Sequence, residues 1–102
     1  MSAKSIYDAI MAAIKFKESK LTDCQDLKIY LLDYPQSEIV EIGRIKDEYL
    51  FFTVNSPQYG QSTFLLPPTS HPLLFVVSDL TQISSGPKRH TVGFLGDVHM
   101  SD

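Results

Sequence analysis

The hydrophobic period of this chain changes once, and that change restricts the possible folds more than any other feature. In residues 5–18, SIYDAIMAAIKFKE, the positions Ile6, Ile10, Ala13, Ile14 and Lys17 recur at spacings of three and four. Residues so spaced lie on one side of a helix. Ala9, Ala12 and Ala13 favour helix intrinsically. Ser5, followed three residues later by Asp8, resembles a capping box with Asp in place of Glu. From residue 27 the period falls to two. Leu27, Ile29 and Leu31 alternate with Lys28, Tyr30 and Leu32, the pattern of a strand. One helix ahead of a run of strands must bury its apolar side on the sheet those strands form.

The remaining strands follow from the same alternation and its breaks. Tyr34-Pro35-Gln36-Ser37 reads as a turn, because proline fixes its own φ and keeps the preceding residue out of the helical region. Residues 38–46 read as a strand with Val40 and Ile42 on one face, and a bulge at Gly43 would return Ile45 to that face. Lys46-Asp47-Glu48 turns into a strand over residues 49–54, and residues 55–62 have the composition of a loop. Phe64-Leu65-Leu66 forms a short strand stopped by Pro67 and Pro68. The continuous apolar run in residues 73–78 suggests a strand covered on both faces. A single helical turn, DLTQI, a polar loop, SSGPK, and a terminal strand of about six residues containing Gly93 complete the chain. The expected fold is α+β in one domain over residues 1–102, with the N-terminal helix packed on a mainly antiparallel five- or six-stranded sheet, curled or closed into a small β-barrel.

Composition narrows the function. With 43% hydrophobic and 21% charged residues, a chain of 102 residues has enough apolar material for a core without disulfides or metal. Nine basic residues against twelve acidic ones give a net charge of −3, which disfavours nucleic acid or an anionic membrane as a general partner. Lys4, Asp8, Lys15 and Lys17 interrupt any apolar leader, and the longest apolar run, residues 73–77, is five residues. A spanning helix needs about twenty. The single cysteine, Cys24, fits a reducing compartment, so the expected location is cytoplasmic.

No arrangement of residues announces catalysis or a cofactor. His71, His90 and His99 are far apart in sequence, and none has another His or Cys at metal-ligand spacing. Cys24 sits between Asp23 and Asp26 rather than beside cations that would favour a thiolate. The chain has no nucleophile elbow, P-loop or dinucleotide-binding glycine turn. Glu38, Glu41, Asp47 and Glu48 cluster around one hairpin, where carboxylates commonly guard strand edges. The aromatics Phe51, Phe52, Phe64 and Phe75 fit either a core or the lining of a small-molecule pocket. The expectation is a protein that is not an enzyme and needs no cofactor.

Two surface hypotheses remain. Tyr7, Met11 and Phe16 lie away from the centre of the Ile stripe and widen the apolar side of the helix, which suits a homo-oligomer or a protein partner. The leading expectation is a self-associating assembly module acting through this helix and the sheet edges. The alternative is binding of an anion, a nucleotide or RNA by Lys88, Arg89 and His90, together with Tyr59 if the two loops meet.

The order of helix, strand, glycine-containing strand and third strand, followed by LLFVVSDLTQIS, resembles the Sm-like small barrels. That resemblance implies rings built by edge-strand pairing, and RNA as a ligand. The chain departs from the pattern in the spacing of Gly43-Arg44-Ile45-Lys46-Asp47 and in having a further strand after residue 85.

Overall fold

A computed structural model describes residues 2–69, 71–79 and 92–98. Helix α1 (Ala3–Ser19) is followed by β1 (Gln25–Leu31), β2 (Tyr34–Ile45), β3 (Tyr49–Ser56), β4 (Gly60–Leu66), β5 (Leu73–Asp79) and β6 (Gly93–Asp97). The strand order is β4-β3-β2-β1-β5, with β6 added parallel to β2 and every other pairing antiparallel. The α+β architecture is as expected, with six strands, but the sheet is open rather than closed into a barrel. β4 and β5 are its outer strands.

The helix begins a turn earlier than the sequence reading placed it. Ser2 is the N-cap, and its Oγ accepts the Ser5 N–H at 3.1 Å. Asp8, free of a capping role, pairs with Lys4 one turn back at 3.1 Å. The buried side of α1 consists of Ala3, Tyr7, Ile10 and Ile14. Ala13 and Lys17, assigned above to the buried stripe, are exposed. The helix is thus rotated relative to the expected orientation, with Tyr7 turned inward.

The opposing surface comes from alternate residues of the sheet. Leu27, Ile29 and Leu31 of β1, Ile39 and Ile42 of β2, and Leu50, Phe52 and Val54 of β3 are buried with the helix residues. Each such aliphatic or aromatic side chain contributes about 1.5–3 kcal/mol on full burial. Ile39 and Ile42 differ in parity, so a strict alternation would put one of them on the outer face. The β2–β3 register shifts between Ile39 and Glu41, leaving Val40 as the extra residue and turning both isoleucines inward. In the β2–β3 ladder the bulge is therefore at Val40, while the register shift at Ile42/Gly43 belongs to the pairing of β2 with β6.

Gly43 has a different role. A Cβ at this position would lie 2.7 Å from Val98 Cγ2 and 3.2 Å from both the Gly96 carbonyl oxygen and Leu95 Cβ. The absent side chain admits the 95–98 segment against β2, where the Val98 N–H donates to the Arg44 carbonyl at 2.7 Å. The neighbouring β2–β3 turn ties three elements together. Its Lys46 N–H donates to Asp97 Oδ1 at 2.8 Å, and Asp47 accepts the Lys4 N–H on Oδ1 at 3.1 Å. The Asp47 carboxylate also complements the positive end of the α1 dipole.

Other departures have local causes. The chain reverses between β1 and β2 at Leu32–Asp33, and Tyr34 already pairs with Leu31. Tyr30 then pairs with Glu38, so residues 35–37 bow out of the ladder, where Pro35 has no N–H to contribute. The stretch expected as a loop at 55–62 is mostly hairpin. Ser56 pairs with Gly60, the Ser56 hydroxyl accepts the N–H groups of Gln58 and Tyr59, and Gly60 takes φ +73. β5, expected to be covered on both faces, is an outer strand with exposed valines. The expected helical turn at 79–83 falls almost entirely outside the described residues.

Gly43→Ala should cost about 1–3 kcal/mol, because overpacking against Val98 and the Gly96 carbonyl forces β6 away from β2. Gly93→Ala, whose Cβ would find its nearest neighbour at 3.4 Å, should change stability by less than about 0.5 kcal/mol. Urea unfolding midpoints of the two variants test the contrast.

Candidate functional site

The three helix residues proposed for an interface occupy different environments. Tyr7 is buried, its hydroxyl accepts the Gly96 N–H at 3.0 Å, and its ring meets Phe94 edge-on at 6.4 Å between centroids. It fastens β6 to the helix and is not available on the surface of this domain. Met11 is half-buried against the core. Phe16 is 60% exposed, with the Lys20 ammonium 5.2 Å from its ring centroid. Phe16 is five positions after Met11, which turns Phe16 well away from the Tyr7–Met11 side.

Of the proposed anion site, Tyr59 lies on the β3–β4 turn and is 74% exposed. Lys88, Arg89 and His90 lie outside the described residues, as does His99. His71 is occupied locally, with Nε2 within 3.0 Å of the Pro67 carbonyl oxygen and 3.3 Å of Thr69 Oγ1. Cys24 is exposed as a free thiol. Among the described residues, no three His, Cys, Asp or Glu side chains converge in a way that could hold a metal. Register also divides the four phenylalanines. Phe52, Phe64 and Phe75 share the helix-facing side of the sheet, while Phe51 pairs with Gly43 on the other.

Concave surfaces among the described residues include two of a few hundred Å³. One is a groove of about 320 Å³ where α1 passes the start of β5, lined by Ile6, Ala9, Ala13, His71 and Leu73 among others. Beside it runs the outer edge of β5. Leu73, Phe75 and Val77 lie opposite Leu31, Ile29 and Leu27, so they face the core side, and Leu74 and Val76 face outward. Val76 is 37% and Val77 46% exposed. Ser5 also lines the groove with His71, but they do not form a nucleophile–base pair. The Ser5 hydroxyl donates to the Ser2 carbonyl, and the His71 ring turns to Pro67.

The second surface is a cleft of about 700 Å³ between the bowed start of β2, residues 34–37, and the β3–β4 hairpin, residues 56–59, with Ser62 and Phe64 also in its lining. The Tyr34 and Phe64 rings pack at 4.7 Å between centroids, tilted by 58°. No protein-family model, curated protein or solved structure matches the chain. The residues of these two surfaces therefore carry the functional argument. No helix among the described residues is long and apolar enough to cross a membrane.

Tyr7→Phe keeps the ring and removes the acceptor for the Gly96 N–H. It should lower stability by about 1 kcal/mol and speed hydrogen exchange at Gly96 ahead of global unfolding. Unchanged exchange at Gly96 would show that this bond does not hold β6.

Proposed function

We propose that the chain is a non-catalytic assembly module that associates with further copies of itself through the outer edge of β5 and the adjoining groove on α1. The observation that carries this reading is an apolar edge strand. β5 has five consecutive apolar residues, Leu73 to Val77, and β1 is its only partner among the described residues. An outer strand of this kind presents N–H and C=O groups that pair readily with another strand. Edge strands that stay monomeric usually carry charges, proline or a bulge; β5 carries one charge, Asp79 at its end, no proline, and no bulge in its pairing with β1.

A second copy fits this edge by charge and register. Two β5 strands paired antiparallel about Val76 would place Val77 opposite Phe75, Ser78 opposite Leu74, and Asp79 opposite Leu73. The two Asp79 carboxylates then lie at opposite ends, about 20 Å apart along the strands. No like charges meet, and the arrangement has the two-fold self-complementarity of the commonest homodimers. The groove on α1 continues the apolar surface through Ile6, Ala9 and Ala13.

Light scattering coupled to size exclusion, at low and high salt, tests the proposal. A defined multimer that persists in both conditions is expected, because the contact is apolar rather than ionic. Replacing Val76 and Val77 together by Lys should yield monomers with an unchanged far-ultraviolet circular dichroism spectrum. A wild-type monomer at both salt concentrations would overturn the reading.

A further inference from the structure

The cleft beside the β3–β4 hairpin is built from different chemistry. Pro35 expels residues 35–37 from the β1–β2 ladder and leaves them standing as one wall. The opposite wall is the turn fixed by Ser56 and Gly60. Tyr34, itself braced on Phe64, remains 48% exposed, and Tyr59 more so. Among the described residues, the ten that line the cleft include no charged side chain, although 21% of the chain is charged and an average sample would hold about two. Gln36, Ser37 and Gln58 supply neutral donors beside the rings.

A ligand for such a cleft is uncharged, offers rigid apolar faces to tyrosine rings and carries hydrogen-bond acceptors. Among the described residues the lining has no cation to hold phosphate. Most of the wall residues are themselves exposed, so a small molecule would be left largely in solvent, whereas pockets for such molecules bury most of the ligand. An extended chain suits an open cleft better. A polyproline II segment meets every condition: its pyrrolidine rings are stiff and apolar, its carbonyls have no internal partner, and it is ordered before it binds. We propose that the cleft between residues 34–37 and the β3–β4 turn binds proline-rich peptide segments in the polyproline II conformation. The proposal is independent of β5, since the two surfaces share no lining residue.

The test is a nuclear magnetic resonance titration of the full chain with a blocked peptide of about ten prolines. A Gly/Ser peptide of equal length and a neutral oligosaccharide serve as comparisons. Saturable shifts confined to residues 34–37 and 56–64 are expected, with a Kd on the order of 0.1 mM that does not change with salt. Tyr59→Ala, at an exposed turn position, should weaken binding at least about fivefold, the loss typical of one aromatic anchor, while leaving the remaining spectrum folded. Repeating the titration on the Val76, Val77 double lysine variant should give the same affinity. The proposal is overturned by the absence of shifts at millimolar peptide, by equal binding of the Gly/Ser peptide, by binding of the oligosaccharide alone, or by an unaffected Tyr59→Ala variant.

Discussion

The two-sided pairing of β2 is the constraint on which the rest of the structure depends. Its outer edge meets β3, and its inner edge is shared in succession by β1, at Tyr34 and Glu38, and by β6, from Glu41 to Arg44. A strand with both edges in use cannot slip by one residue without exposing its buried side chains. The Val40 bulge makes that register compatible with a continuous core, because it brings Ile39 and Ile42 to the same side. Helix α1 then closes over those two isoleucines and over Phe52. The Asp47 contacts to Ala3 and Lys4 set where the helix begins on the sheet.

The division of the chain into one helix and a run of strands was legible because periodicity reports how many residues separate inward side chains. It reports less well which residues those are. Ile6 and Ala13 share the helical spacing with Ile10 and Ile14, yet Tyr7 brings a large aromatic ring and finds a hydrogen-bond partner in Gly96, so the helix turns toward it. Gly43 carried a signal of the right kind, but the irregularity there lies in the pairing with β6 rather than with β3. Glycine marks bulges and close approaches alike, and only the arrival of residues 95–98 distinguishes them. The true bulge at Val40 has an ordinary β-branched residue, with nothing in its type to reveal it.

The surfaces were less legible than the core for a related reason. An apolar run such as LLFVV has the same composition whether its strand is central or outermost, and strand order is decided by pairings between distant residues. The expectation of assembly through sheet edges did not single out β5. The wide side of the helix reads from sequence as Tyr7, Met11 and Phe16; of these Phe16 is exposed and Tyr7 buried, and the strip along the groove contains Ile6, Ala9 and Ala13. The cleft was hidden because Tyr34 and Tyr59 belong to different hairpins. They come together only where Pro35 interrupts one ladder and the other strand pair turns at Gly60.

The parallel placement of β6 also orders events in time. β1 to β4 can form by successive hairpins, each closing a short loop. β6 reaches β2 only once nearly the whole chain has been made, and it closes a loop of about half the chain's length, since Gly93 pairs with Glu41. Long closures of this kind slow folding and come after local pairings. The far half of the inner edge of β2 therefore stands unpaired in the nascent meander, and the last strand, threaded past the missing side chain of Gly43, seals it.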